Sequence, residues 1–428
     1  MRGYLRALGP GLVTGASDDD PSGIATYAQA GSRFGFGFLW TALLTFPLMA
    51  AVQEICDRTA LATGKGLGEL ATERLGGKGR GVVIGLVGLL IVANALNIAA
   101  DLVAVGSGMQ LLHAGPTAVW ALVAGAAISG LLLSGSFELV ARVFKLLCIA
   151  LLAYIAMLFA VNVSWASVAR GTFMPHLSFG SGYVELLVAI LGTTISPYLF
   201  FWQSLHRLEE MRDEPGGGSR PEPLPEREDT AAAKKQWTSR FDVFFGMGFS
   251  NIVMFAIIVT TAATLGRHGR HSVTSAAEAA SALKPVAGRF ASYLFAVGFI
   301  GAGMLAIPVL AGAGSAGMAG LLSKATGFSR SPRKAPTFYG LVLLGTLGGA
   351  ALSLLGVNPI RLLVVVAVLN GVAAAPFLVL VMLISNDKKI MGEYINGKLA
   401  RTLGWATTAL MAAAAVVLFA FAHGGGLY

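Results

Sequence analysis

Long apolar runs, separated by short polar segments, make up most of this chain. Each run is close to the roughly 20 residues that a helix needs to cross a bilayer. The pattern therefore predicts an all-α integral membrane protein with eleven transmembrane helices. The predicted spans lie near residues 4–32, 38–58, 81–110, 117–136, 143–162, 183–210, 241–265, 290–322, 337–356, 359–384 and 403–422.

Two of these runs contain helix breakers in mid-span. The first carries "DDDPSG" at residues 18–23, and the sixth carries "GTTISP" at residues 192–197. Proline removes a backbone hydrogen bond and disfavours helix at the preceding residue. Unpaired backbone at membrane depth is tolerated only where it lines a cavity or is buried in protein. We therefore predict helix breaks at Pro21 and Pro197, although an isolated proline kink without function would give the same local pattern.

The spacing of the two breaks suggests an internal repeat. Spans one to five and six to ten would form two halves of opposite orientation, each starting with a broken helix. Matched interruptions of this kind indicate the binding site of a transporter. The predicted units are the first repeat (1–165), the second repeat (166–386) with a flexible cytoplasmic linker (209–239), and the eleventh helix with the C-terminus (387–428).

Composition supports a membrane protein and disfavours several other classes. The 428 residues are 55% hydrophobic and only 12% charged, with a mean hydropathy of +0.71, whereas soluble domains carry about twice that charge. No phosphate-binding glycine loop or hydrolase constellation is evident, so we expect no enzyme and no ATP-driven pump. Two cysteines imply neither a disulfide framework nor a metal cluster. The expected partner is the lipid bilayer rather than nucleic acid.

The distribution of basic residues predicts the orientation. With a cytoplasmic N-terminus, 24 of the 31 Lys and Arg residues fall in inside loops, as the positive-inside rule requires. An odd number of spans then places the C-terminus outside, and no cleavable signal peptide is evident. The basic residues of the outside loops are Arg33, Arg170, Arg267, Arg270, Lys284, Arg289 and Arg361.

The acidic cluster at the first break predicts a cation site. A carboxylate near the bilayer midplane is costly unless it is paired or solvated, and three neighbouring aspartates cannot all be buried and ionised. Asp20, directly before the proline, is the expected ligand. Asp18 and Asp19 would face a vestibule or cap the next half-helix.

Hydroxyl and carbonyl oxygens complete the predicted site. Thr193 and Ser196 offer hydroxyls, and carbonyls freed near the two prolines add further oxygen. A donor set made only of oxygen suits hard cations such as Mg²⁺, Ca²⁺ or Mn²⁺.

Other polar residues in the spans have two interpretations. Asn94, Asn97 and Asp101 share one helix face by their spacing, and Asn370 is the strong polar residue of the tenth span. They would line a cation or proton path, or they would form interhelical hydrogen bonds that hold the bundle together.

Four stretches resemble the natural resistance-associated macrophage protein (Nramp) family of divalent metal transporters, and its divergent bacterial branch in particular. They are "GPGLVTGASDDDPSGIATY", "FPLMAAVQEICDRTALATGKGLGEL", "GTTISPYLFFWQS" and "AAAPFLVLVMLISNDKKIMGEY", and the resemblance covers essentially the whole chain. It implies a LeuT-type fold of two inverted five-helix repeats with helices 1 and 6 broken, plus an eleventh helix. It also implies alternating access, a divalent metal as substrate without a cofactor, and a monomer in the bacterial inner membrane.

The chain departs from the family's signatures at the site itself. The first-span signature Asp-Pro-Gly-Asn reads "DPSG" at residues 20–23, which keeps the Asp and loses the Asn ligand. The sixth-span signature Met-Pro-His reads "SPY", so that Ser196 replaces a soft thioether and Tyr198 replaces a titratable His. The third-span proton route Asp-Leu-Ala-Glu keeps Asp101 and has Ala104 in place of the Glu.

The sequence therefore predicts a secondary transporter of divalent metal cations with weakened or absent proton coupling. The alternatives are a transporter of a hard cation such as Mg²⁺ in place of Mn²⁺ or Fe²⁺, and a related carrier that has lost metal binding and takes another solute. The expected metal site is Asp20, Ser22, Gly23, Thr193 and Ser196, and the expected coupling or ion path is Asp19, Asp101, Tyr198 and Asn370, with the breaks at Pro21 and Pro197.

Overall fold

The computed structural model describes residues 9–134, 137–175, 177–178, 180–214, 217–218, 220–265, 276–354 and 359–423. Helices dominate these residues, and none of the described segments forms a β-strand. The prediction of an all-α protein is therefore confirmed. The helices are α1 (Pro10–Asp18), α2 (Pro21–Phe34), α3 (Trp40–Thr63), α4 (Leu67–Leu111), α5 (Thr117–Leu133), α6 (Phe137–Cys148), α7 (Leu152–Ala160), α8 (Trp165–Phe173), α9 (Ser181–Thr194), α10 (Pro197–Asp213), α11 (Asp229–Thr264), α12 (Ala276–Leu321), α13 (Pro336–Ser353), α14 (Pro359–Ser385), α15 (Lys388–Met391) and α16 (Lys398–His423).

Many of these helices are long and apolar enough to cross a membrane. Eight segments of the described chain meet that condition, and a ninth is added if Pro21–Phe38 and Trp40–Thr63, which are bent by 109° at their junction, are taken as one span. The shorter apolar helix α5 lies within the predicted span 117–136. The chain is therefore a multi-pass membrane protein.

At each of the two predicted breaks, consecutive helices are separated by only two residues. Helix α1 ends at Asp18 and α2 begins at Pro21, while α9 ends at Thr194 and α10 begins at Pro197. Both prolines lie in the first turn of their helix, where a missing N–H costs no hydrogen bond. Proline thus starts the second helix of each pair at a position where the chain has already left helical geometry.

Some helices extend beyond the predicted spans. Helix α4 starts at Leu67 rather than near residue 81, and it changes direction at Gly76, whose φ of +61° favours glycine. Helix α12 starts at Ala276 rather than near residue 290. Hydropathy detects only the part of a helix that is apolar enough for lipid, so the polar extensions were missed.

The linker predicted at 209–239 has helix at both of its ends, and its flexibility stays a prediction. Helix α10 continues to Asp213 and α11 begins at Asp229. Between them, Leu224 is buried against Ala60, Leu208 and other apolar side chains.

Helices α1 and α11 pack backbone against backbone. A Cβ added at Gly15 would overlap the backbone of Gly246, and a Cβ added at Gly246 would overlap the carbonyl of Gly11. Small residues permit this close approach, which is common between helices in membranes. The contact places the end of α1, and with it the first break, directly against α11.

A buried ion network lies at the opposite end of α1. Arg207 is almost fully buried, and its Nε donates to Asp57 Oδ1 at 2.6 Å, its Nη1 to Glu210 Oε2 at 2.5 Å and its Nη2 to Asp242 Oδ2 at 3.2 Å. Gln203 Nε2 donates to Asp57 Oδ1 at 2.6 Å. We call these five residues, together with Ser239, which donates to Asp57, the Arg207 network.

Asp242 also caps the first helix. Its carboxylate accepts from the backbone N–H groups of Gly9, Gly11 and Leu12 at 2.8, 2.7 and 3.1 Å. These groups have no partner inside the helix, and the helix dipole favours an anion there. One aspartate of α11 therefore connects the start of α1 to Arg207 of α10.

Candidate functional site

Asp20 lies at the first break and caps α2. Its backbone is extended, with φ −67° and ψ 169°. Oδ1 accepts from the Gly23 N–H at 2.8 Å and from Ser22 Oγ at 2.5 Å. The Asp-Pro-Ser-Gly order produces this turn because Asp is among the best N-cap residues and Pro suits the first helical position.

The other carboxylate oxygen of Asp20 faces two different helices. Asn97 of α4 donates to Oδ2 at 2.9 Å, and Tyr198 of α10 donates to it at 3.3 Å. Tyr198 Oη also lies 3.2 Å from the carbonyl of Ser17, and its single hydrogen can satisfy one of the two. We call Asp20, Ser22, Asn97 and Tyr198 the Asp20 centre.

One hydroxyl of the second break lies beside this centre, and the other bonds to its own backbone. Thr193 Oγ1 is 3.5 Å from Ser22 Oγ, which brings α9 against α2. Ser196 Oγ lies 2.6 Å from the Gly192 carbonyl and 3.0 Å from the Thr193 carbonyl, and donates its hydrogen to them. Because the hydrogen points back at the backbone, the lone pairs of this hydroxyl remain available for a cation.

Asp101 and Asn370 are buried and have free acceptors. Asp101 follows Asn97 by one helical turn on α4, so the two share a face. Both Asp101 carboxylate oxygens and Asn370 Oδ1 lack a hydrogen-bond donor. Among the described contacts, neither residue hydrogen-bonds to Asp20.

Asp18 and Asp19 have different hydrogen-bond partners from Asp20. Ser250 of α11 donates to Asp18 Oδ2 at 2.8 Å. The other oxygen of Asp18 and both oxygens of Asp19 have no donor, although each residue is 0% exposed. The three consecutive aspartates therefore occupy different surroundings, and only Asp20 is fully supplied with donors.

A comparison with protein families decides what kind of protein this is. Residues 11–421 match the family described as natural resistance-associated macrophage protein-like. The chain belongs to the Nramp family. Nramp proteins are transporters whose divalent metal is a substrate rather than a cofactor, so this chain is a transporter and not an enzyme.

One curated relative and two solved structures resemble this chain over nearly its whole length. The divalent metal cation transporter MntH of Klebsiella pneumoniae is 26% identical over 413 residues, which cover 95% of this chain and 92% of the relative. The manganese transporter of Eremococcus coleocola has a TM-score of 0.75 at 16% identity, over 100% of this chain and 89% of that structure. A nucleobase-cation-symport-1 family transporter, MHP1, has a TM-score of 0.57 at 15% identity, over 96% and 92% of the two chains. The likeness to these two structures shows that this chain has their fold.

Within the Nramp fold, the centre offers oxygen and no sulfur. No three His, Cys, Asp or Glu side chains converge as a metal cluster in the described part of the chain. The charged ligand group is the carboxylate of Asp20, and the neighbouring hydroxyls and amide are neutral. Such a set matches hard cations that retain part of their water shell better than it matches soft ones.

Three residues near the first break were missed or underweighted by sequence reasoning. Asn97 contacts Asp20 directly, and its spacing from Asp101 was the signal for that role. Ser250 donates to Asp18, and the buried Tyr154 of α7 lies within electrostatic range of Asp19. Both lie in ordinary apolar helices, and nothing in their local sequence distinguishes them from packing residues. Their position beside the aspartates depends on how α7 and α11 pack against the break.

Proposed function

We propose that this protein is a secondary transporter of divalent cations that works by alternating access, with Asp20 as the charged ligand. The observation that carries the proposal is a fully buried carboxylate at a helix interruption, held only by neutral donors. A buried carboxylate without a cationic partner is costly. A divalent cation from solution would remove that cost, because its attraction to the carboxylate would offset part of the hydration that the ion loses on leaving water.

The proposed architecture follows the two interruptions. Eleven spans would form two inverted repeats of five, 1–165 and 166–386, with the first and sixth spans broken and with α16 as the eleventh. The protein would be a monomer in the bacterial inner membrane, with the N-terminus in the cytoplasm and the C-terminus outside. The match to the Nramp family and to the two transporter folds supports this arrangement.

The proposed ligands lie on both sides of the interruptions. Asp20, the hydroxyls of Ser22, Thr193 and Ser196, and the backbone near Gly23 would contact the ion or its water. Ser22 and Asn97 now donate to Asp20, so an arriving ion would take their place at the carboxylate. Asp19, Asp101, Tyr198 and Asn370 would line its path.

The ion itself is expected to be hard. The curated relative is named for divalent metal cations, and the Eremococcus protein is named for manganese. Ser196 gives this site a hydroxyl where the family signature has a thioether, and oxygen ligands suit Mg²⁺ and Mn²⁺. We propose that the same site binds either Mg²⁺ or Mn²⁺. Proton coupling would be weak or absent, because Tyr198 and Ala104 stand where the family has titratable groups.

Calorimetric titration of the purified protein with Mn²⁺ and with Mg²⁺ tests the proposal. Both ions should bind the wild type, and Asp20→Asn should weaken binding by at least about a hundredfold. Asp229→Asn is the matched control, since Asp229 is an exposed aspartate far along the chain from the site. If neither ion binds the wild type, the chain carries another solute and the metal proposal is wrong.

Transport in proteoliposomes tests the coupling. Mn²⁺ uptake should proceed at the same rate with and without a pH gradient, and an internal pH dye should record no proton movement. Acidification of the vesicle lumen in step with Mn²⁺ uptake would contradict uncoupled transport while leaving the metal site intact.

A further inference from the structure

Three orphaned carboxylate oxygens point to a second ligand at the first break. They are Asp18 Oδ1 and both oxygens of Asp19, all without a donor and all in residues with no exposed surface. Buried polar groups in proteins almost always have partners, and a buried charge without one costs several kcal/mol. Two such carboxylates on adjacent residues also repel each other.

Neutral oxygen groups surround these two carboxylates. Ser250 of α11 lies beside both, and its only hydrogen is donated to Asp18 Oδ2. Tyr154 of α7 lies within electrostatic range of Asp19, is 1% exposed, and has a hydroxyl without a partner. Its ring is held against Gly298 and Phe295 of α12. In the described chain, no Lys, Arg or His forms an ion pair with Asp18 or Asp19.

The hydrogen-bond donors of these two aspartates differ from those of the Asp20 centre. Asp20 faces α4 and α10 through Asn97 and Tyr198. Ser250 of α11 donates to Asp18, and Tyr154 of α7 lies within electrostatic range of Asp19. The groups that donate to Asp20 therefore differ from the group that donates to Asp18, and none of them donates to the three unpartnered oxygens of Asp18 and Asp19.

We propose that Asp18 and Asp19 form a second cation site, which binds a hard cation through their carboxylates and the hydroxyls of Ser250 and Tyr154. The inference rests on the proposed function in treating the chain as an ion transporter. A cation satisfies the orphaned oxygens and removes the repulsion between the two carboxylates in one step. Because its ligands bridge α1, α7 and α11, the second ion stabilises the arrangement of helices in which Asp20 is buried.

The first test compares two variants by thermal unfolding in detergent, in NaCl and in choline chloride of equal ionic strength. If the second ion is Na⁺, NaCl should raise the Tm of the wild type and of Asp20→Asn relative to choline chloride. The shift should vanish in Asp19→Asn and persist in the surface control Asp229→Asn. Titration with Mn²⁺ should give the reverse pattern. Mn²⁺ binding should be lost in Asp20→Asn and retained in Asp19→Asn.

If the second ion is divalent, the stoichiometry changes instead. Calorimetry should then count two Mn²⁺ ions per wild-type chain and one in each of the two variants. Should Asp19→Asn fail to fold, Tyr154→Phe and Ser250→Ala each remove one ligand oxygen and should weaken the second ion by at least about tenfold.

Two results would separate the two proposals. The first result is that the Tm shift in Na⁺ and the binding of Mn²⁺ are the same as in the wild type for all three variants, Asp19→Asn, Tyr154→Phe and Ser250→Ala. The second site then does not exist, whatever the result for Asp20→Asn. If Asp20→Asn binds Mn²⁺ as the wild type does while Asp19→Asn loses an ion, the second site stands and the assignment of Asp20 is wrong.

Discussion

The Arg207 network and the Asp20 centre solve the same problem in different ways. Both bury carboxylates, and α10 contributes to each. In the network, Arg207 lies within 3.2 Å of Asp57, Glu210 and Asp242, so the cation is part of the fold. At the centre, Asp20 meets only a backbone amide, hydroxyls and a side-chain amide. The guanidinium of Arg207 is part of the chain and forms permanent ion pairs. The neutral donors at the Asp20 centre leave its carboxylate without a cation, as reversible binding of an ion would require.

Removal of Arg207 should have the largest effect on stability. Arg207→Met keeps most of the side-chain volume but leaves Asp57 and Asp242 buried without a cation. Such a loss costs about 3–5 kcal/mol, and the thermal unfolding midpoint in detergent should fall accordingly. The double variant Arg207→Met/Asp57→Asn should recover part of it.

An exposed ion pair provides the control for this measurement. Arg220 and Glu226 pair at 2.6 Å, but their side chains are 78% and 50% exposed. Arg220→Gln should change stability by less than about 1 kcal/mol. An equal loss in both variants would mean that the buried network has no special role.

Asp20→Asn should affect binding far more than stability. Asn is as good an N-cap as Asp, so in divalent-free buffer we expect a change of less than about 1 kcal/mol. Affinity for Mn²⁺ should fall by at least about a hundredfold, which calorimetry measures. A loss of stability as large as that of Arg207→Met would break the comparison, because it would make Asp20 a structural residue.

Ser196→Met should change the preference among ions. A thioether is a soft ligand, and it would stand two residues before Tyr198 of the centre. We expect the ratio of Cd²⁺ to Mg²⁺ affinity to rise by about tenfold or more, measured by competition against Mn²⁺. An unchanged ratio would exclude Ser196 from the ligand set.

Tyr198→Phe should have the smallest effect. The variant removes the donor that Asp20 Oδ2 and the Ser17 carbonyl share. Loss of one such hydrogen bond costs about 0.5–1.5 kcal/mol, which thermal unfolding in divalent-free buffer resolves. If the stability of the variant is unchanged or raised, Asn97 alone satisfies Asp20 Oδ2.

Local sequence signals predicted the parts of the fold that depend on local chemistry. Proline and its neighbours gave the helix starts at Pro21 and Pro197, and apolar runs gave the positions of most helices. The assignment of the helix pairs at Pro21 and Pro197 as broken membrane spans in inverted repeats remains a prediction. The family resemblance, rather than composition, supplied the substrate class.

Long-range packing explains what the sequence did not predict. Asp57, Arg207 and Asp242 lie far apart along the chain, and hydropathy treats charges near span ends as solvated. Their mutual burial depends on three helices meeting. The burial of Leu224 in the predicted linker likewise depends on residues that are distant along the chain, Ala60 among them.

The glycine contact between α1 and α11 limits how this protein can vary. Every single-base change in a glycine codon that alters the residue introduces a side chain with a Cβ. At Gly15 and Gly246 that atom would overlap the facing backbone. Neutral drift is therefore blocked on both sides of the contact at once, and a change on one helix has no compensating change available on the other. The surface that positions the aspartates should consequently tolerate fewer substitutions than the aspartates' own neighbours.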